Sequence, residues 1–202
     1  MEKLLLTISR EFGSGGRLVG ERLAKELDIS FYDHALIHLA VAKSGLDPAT
    51  IEKAEEEATS KFLFHLAIGG YVSSGVFSQI NVPITDQVFF AQSKVIEEAA
   101  AKESCVIVGR CANYILRNHP GLVRIFIYGT EQDRLKRITG DYGVPESEAK
   151  ARLTKMDKAR TNYYEYYTGE TWGAVHSYDL AINTAFTGID GAVRVIRSLL
   201  GR

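Results

Sequence analysis

"ISREFGSGGRLVGERLAKEL", residues 8–27, decides how this chain is read. It follows a short apolar run at residues 4–8, gathers glycines around a serine, and passes into a segment where Val19, Leu23 and Leu27 recur every fourth residue, as on one helix face. Strand, glycine loop, helix is an arrangement that holds phosphate. Gly13, Gly15 and Gly16 permit positive φ, so that successive N–H groups around Ser14 turn inward and, with the start of the helix, enclose an anion. Arg10 and Arg17 bracket the loop with positive charge. The plain alternative is a tight strand-to-helix turn that holds nothing. The regular phosphate-loop pattern G-x-x-x-x-G-K-[ST] is not met. A dinucleotide fingerprint is also considered, because Asp33 stands at a strand end where a ribose-binding acid belongs. It fails at the third glycine, whose place is taken by Leu18.

Outward from this stretch, strands alternate with helices. Strands are expected at residues 29–33, at "CVIVG" (105–109), at "LVRIFIYG" (122–129) and at "YDLAINT" (178–184). Between them, helical patterns cover 34–45, 49–67 behind an Asp47 and Pro48 cap, the stretch from Asp86 onward, the segment opened by Thr130 and Asp133, 144–167, and a last helix opened by Thr187 and Asp190. Residues 69–86, rich in Gly, Ser and Asn, read as an irregular connection. This order predicts an α/β fold with a mostly parallel sheet covered on both faces, and a ligand at the carboxyl ends of its strands.

A chain of 202 residues with 46% hydrophobic and 24% charged content fills one domain. Its formal net charge of −1 provides no electrostatic footprint for nucleic acid or for an anionic membrane. No apolar stretch approaches a membrane span and the start lacks a signal-peptide core, so a cytoplasmic location is expected. Cys105 and Cys111 read as reduced thiols, Cys105 in the core, with neither disulfide nor metal site.

Taken in order, "SREFGSGGR", "YDHALI", "VIVGRCANYIL", "RIFIYG", "DKARTNYYEYYTGETWG" and "YDLAINT" resemble the cytidylate kinase-like group of P-loop nucleoside monophosphate kinases. The resemblance implies a three-layer P-loop kinase fold with a five-stranded parallel sheet. It implies a single kinase-like domain over 1–202, with core segments 1–34, 86–144 and 176–202, an inserted helical acceptor-binding region at about 35–85 and a lid at about 145–175.

The activity it implies is transfer of the γ-phosphoryl of ATP to a nucleoside monophosphate, CMP or dCMP favoured, with Mg2+ expected and its ligands unassigned. Gly16 then stands where ordinary cytidylate kinases carry the phosphate-loop lysine, and Arg17 follows it. The donor site would comprise Arg10, Gly13, Ser14, Gly15, Gly16 and Arg17. Arg17 and the lid residue Arg160 would act on the moving phosphoryl, while Asp33, Arg110 and Asn183 would hold the acceptor. For Asp33 and Arg110 the alternative is a helix cap or a loop salt bridge. Val108 replaces a family aspartate, which leaves Glu11, Ser14 and Asp33 as polar groups near the expected metal. Asn183 replaces an aspartate that touches the base. The tyrosines at 163, 164, 166 and 167 are expected to pack rather than to stack a base. A rival class is a regulatory nucleotide-binding protein that has lost transfer; another is a kinase for a different small acceptor.

Overall fold

In the computed structural model, residues 3–43, 49 and 83–201 are described. The expected cap at Asp47 and Pro48, the helix over 49–67 beyond its first residue, and most of the regions expected at 69–86 and 35–85 lie outside them. β1 (Leu5–Arg10) runs into the glycine loop, and α1 (Gly16–Leu27) leaves it. β2 (Ser30–Tyr32) and α2 (His34–Lys43) follow, then α3 (Ile84–Lys102), β3 (Cys105–Val108) and the short α4 (Ala112–Ile115). β4 (Leu122–Tyr128), α5 (Glu131–Gly140), α6 (Glu146–Thr168), β5 (Leu180–Asn183) and α7 (Thr184–Leu199) complete the chain.

The five strands are parallel in the order β2-β3-β1-β4-β5, with Leu5 beside both Cys105 and Leu122. Side chains on a strand alternate between faces, and this alternation divides the core. Leu6, Ile8, Val106 and Val108 pack with Val19 and Leu23 of α1 and Val193 and Ile196 of α7. Leu5, Cys105 and Ile107 face the other way, onto Ile37, Val88, Ile96 and Leu116. Helices therefore cover both faces, as the alternating pattern predicts. α1 comes close to the sheet at Gly20, where an added Cβ would stand 2.9 Å from Val108 Cγ2.

A third cluster joins α5 to α6 through Ile138, Val144, Ala149 and Leu153, with Phe12 of the glycine loop packed against it. Thr130 caps α5 as its spacing predicts, accepting from the Asp133 N–H at 3.2 Å. The expected Thr187 cap is different. Asn183 caps α7 instead, and the Thr187 hydroxyl donates back to the Asn183 carbonyl, because the helix starts earlier and is interrupted at Gly188 (φ 66). Likewise α3 begins at Ile84 rather than at 86, with Pro83 as its cap residue.

Candidate active site

β1 is the middle strand, so its carboxyl end opens onto β3 on one side and β4 on the other. The loop leaves there with the Glu11 N–H still bonded to the Ile127 carbonyl at 3.1 Å. Gly13 (φ 77) and Gly15 (φ 80) take left-handed conformations that L side chains avoid. Space excludes side chains as well: a Cβ on Gly15 would stand 2.4 Å from Ile189 Cδ1, and one on Gly13 would stand 2.9 Å from the Arg134 carbonyl. The first bond of α1 runs from the Val19 N–H to the Gly15 carbonyl at 3.0 Å. The N–H groups of Gly16, Arg17 and Leu18 thus form the open end of the helix, where its dipole favours an anion. Ser14 is buried; its hydroxyl donates to the Glu11 carbonyl at 2.9 Å, and its own carbonyl accepts from Thr184 at 2.6 Å.

Around this loop stands a group of arginines. Arg10, the last residue of β1, reaches toward Gly109 at the end of β3. Burial, then the nearby charges of Arg160 and Arg110, hold its guanidinium well below the ordinary value, against the attraction of Asp33. Arg160 of α6 donates through Nη1 to the Arg10 carbonyl at 3.0 Å and lies over the Phe12 ring, 5.5 Å from its centre. Burial pushes it down to about 10, with Arg110 adding to the effect and Asp157 opposing it. Arg110 lies 5.1 Å over the Tyr163 ring. Its backbone is left-handed (φ 54), between Gly109 (φ 84) and Cys111 (φ 55). Consecutive left-handed non-glycine residues are costly, and such conformations concentrate at functional sites.

Two expected site residues meet each other. Arg17 Nε donates to Asp33 Oδ2 at 2.7 Å, while its Nη1 reaches Glu21 at 3.0 Å. Asp33 also caps α2, accepting the Leu36 N–H at 3.1 Å. Burial alone would raise its carboxyl, but the Arg17 hydrogen bond and the Leu36 N–H outweigh that and hold it below the usual range. Arg17 is therefore directed along α1 to the β2 end.

Asn183 stands apart from Asp33 and Arg110. It ends β5, at the sheet edge opposite β2, and its carboxamide oxygen accepts the Ala185 N–H at 3.0 Å. The sheet order thus groups it with the β4 side of the loop, where Thr184 holds Ser14, rather than with the acceptor residues expected at β2 and β3.

Arg134 and Arg137 were not anticipated. Buried Arg134 pairs with Glu11 (3.1 Å) and Asp157 and donates to the Phe12 carbonyl at 2.8 Å. Arg137 donates to the Gly13 carbonyl at 2.6 Å. Asp157 also accepts the Phe12 N–H at 2.7 Å, so α6 is fastened to the loop at Asp157 and Arg160. The available signal was the placement of Arg134 and Arg137 three residues apart just after a strand, which puts both on one helix face. A second polar group lies deeper, where Asn113 joins Ser9 (3.4 Å) to the Tyr164 hydroxyl (2.9 Å), which donates to Glu170 at 3.0 Å. The other tyrosines pack as expected: Tyr167 stacks on Phe89 at 3.9 Å, and Tyr163 donates to Gln92 at 2.9 Å.

The polar groups offered to Mg2+ are engaged elsewhere. Glu11 accepts the Gly129 N–H at 3.1 Å and pairs with Arg134, Asp33 holds Arg17, and Ser14 donates to the loop. Among the described residues no three acidic, histidine or cysteine side chains gather to hold a metal. This donor set does not make a protein-built site for the ion.

Residues 5–185 match the cytidylate kinase-like family. The chain belongs to that family. It is 27% identical over 122 residues to a cytidylate kinase of Methanoculleus marisnigri, a stretch that covers 60% of this chain and 65% of that relative. A protein of Eubacterium ventriosum, described only as uncharacterized, is 30% identical across 100% of both chains, with a TM-score of 0.75. A shikimate kinase of Bacteroides thetaiotaomicron shares the P-loop kinase fold at 13% identity, covering 98% of this chain and 99% of its own, with a TM-score of 0.52. Among the described residues no helix is long and apolar enough to cross a membrane.

Proposed function

We propose that this member of the family is a nucleotide kinase that transfers the γ-phosphoryl of ATP to a nucleoside monophosphate, with CMP or dCMP the favoured acceptor. The observation that carries the reading is the gathering of Arg10, Arg110 and Arg160 beside the open N-terminus of α1. In a chain of net charge −1, positive charge is concentrated at the carboxyl ends of β1 and β3.

In this reading, N–H groups of the Gly13–Gly16 loop hold donor phosphates, Arg110 orients the acceptor phosphate, and Arg160 approaches the phosphoryl from α6. Residues 145–175 act as the lid, and α6 excludes water where Asp157 and Arg160 already fasten it to the loop. Arg17 orients Asp33 at the acceptor mouth. Asn183 belongs to the donor side. The acceptor is itself an anion, so the protein supplies position and charge neutralisation rather than a general base.

The rival, a nucleotide-binding regulator without transfer, is favoured by the pairing of Arg17 with Asp33, which directs a cation away from the loop. One experiment separates the two. Purified protein is mixed with ATP, Mg2+ and each of a panel of nucleoside monophosphates, and ADP is measured. ADP formation that depends on CMP or dCMP supports the kinase. ATP binding without turnover on any acceptor supports the regulator.

A further inference from the structure

The glycine loop has a physical reason to carry no lysine at position 16. Arg10 falls on the same face of β1 as Leu6 and Ile8, the face that α1 covers, so its stem crosses the first residue of that helix. A Cβ on Gly16 would stand 2.5 Å from Arg10 Cβ and 3.0 Å from its Cγ, with Ile127 Cβ at 3.2 Å. The head of the side chain then reaches the end of β3, where a Cβ on Gly109 would stand 2.3 Å from Arg10 Nη1. Two glycines far apart in sequence form one slot, which Arg10 fills with its stem in the first notch and its guanidinium in the second.

We infer that Arg10, delivered from the strand rather than the helix, replaces the phosphate-loop lysine and carries the charge of the phosphoryl group in transit. This rests on the nucleotide kinase reading. In that step an acceptor phosphate oxygen bonds to the γ-phosphorus as the bond from that phosphorus to the bridging oxygen breaks. The electron pair of the broken bond leaves with ADP.

Position supports the assignment, because the Arg10 side chain runs from the donor loop at Gly16, beside its stem, to the Gly109–Arg110 turn, beside its guanidinium, and so lies between the donor and acceptor sides of the kinase reading. Electrostatics supports it too. Burial, with repulsion from Arg160 and Arg110, disfavours the charged Arg10 guanidinium more than the attraction of Asp33 offsets. A phosphoryl group brings further negative charge to this guanidinium, with oxygens spaced for its fork. Arg17, the other cation that brackets the glycines, is occupied by Asp33 and Glu21.

The test compares the parent chain with Arg10→Met, Arg10→Lys and Arg17→Met in ADP formation, ATP calorimetry and thermal melts with and without inorganic pyrophosphate. Arg10→Met is expected to lower kcat roughly 100-fold with a much smaller change in acceptor KM, and Arg10→Lys to recover part of it. Arg17→Met should cost less and act mainly on acceptor KM. Without ligand Arg10→Met should melt no lower than the parent, and pyrophosphate should raise its melting point less. Parent-like kcat in Arg10→Met, or an equal kcat loss in Arg17→Met, overturns the role of Arg10 and leaves the kinase reading standing. Should Arg10→Met not fold, Arg10→Lys decides: partial kcat with intact folding supports the role, and parent-like kcat on loss of the bidentate fork overturns it. If the parent binds ATP but transfers to no acceptor, a roughly tenfold weaker ATP affinity in Arg10→Met supports the role, and equal affinity overturns it. A parent that binds neither ATP nor pyrophosphate overturns the kinase reading and Arg10's role together.

Discussion

Gly15 combines two demands, a left-handed backbone and a Cβ position already taken by Ile189. Gly15→Ala is therefore expected to cost about 1–3 kcal/mol in denaturant unfolding and to abolish ATP binding by calorimetry. Asp33 tests the opposite sort of residue, one whose value lies in its charge. Its carboxyl is held below the ordinary range, so its contribution is complete above the unfolded value near about 4 and is lost as pH falls through the lower folded value. In urea unfolding followed against pH, the parent should lose stability below about pH 4 more steeply than Asp33→Asn. Glycines that require positive φ could be read from the sequence because the demand is local. The destination of Arg17 could not, since a long side chain goes wherever a distant strand end offers a carboxylate. Arg10 was readable as a loop cation, but its seat depends on Gly109, which only the β1–β3 pairing brings near.

Among the elements, α5 and α6 act together on the loop through one buried arginine. Arg134→Met would leave Glu11 and Asp157 without their shared partner, at a cost of about 3–5 kcal/mol by chemical denaturation. Asp157→Asn keeps the shape and weakens the charge. Its expected signature is faster hydrogen exchange at the Phe12 amide, with exchange in β1 unchanged. Strands and helices were legible here because their periods of two and about 3.6 are set by the chain itself. Helix starts were less so. Thr130 and Thr187 have the same spacing to an aspartate, yet only Thr130 caps, because the Thr187 hydroxyl donates to the Asn183 and Gly188 carbonyls where the backbone breaks from helix at Gly188.

For the whole molecule, the strand order decides which loops become neighbours. Arg10 and Arg110 meet because β3 lies beside β1, and Asn183 is separated from them because β5 lies at the far edge. No spacing along the chain contains that information; it arises from where the crossovers place each strand. If the arginine group is a phosphate site, ATP at about 100 times its Kd should stabilise the fold by about 2.7 kcal/mol, read as a rise in melting temperature. The left-handed turn that carries Arg110 also offers a clock. Cys111, within it, is buried and its thiol is pushed up to about 12, while Cys105 opens the interior strand β3 with its thiol buried and pushed up to about 11. Both are protonated and shielded at neutral pH, so alkylation waits for the protein to open. Cys105 should report unfolding of the sheet and Cys111 the smaller opening of the turn. A nucleotide that slows only the second thiol would time the acceptor turn's own breathing, with no label added to the chain.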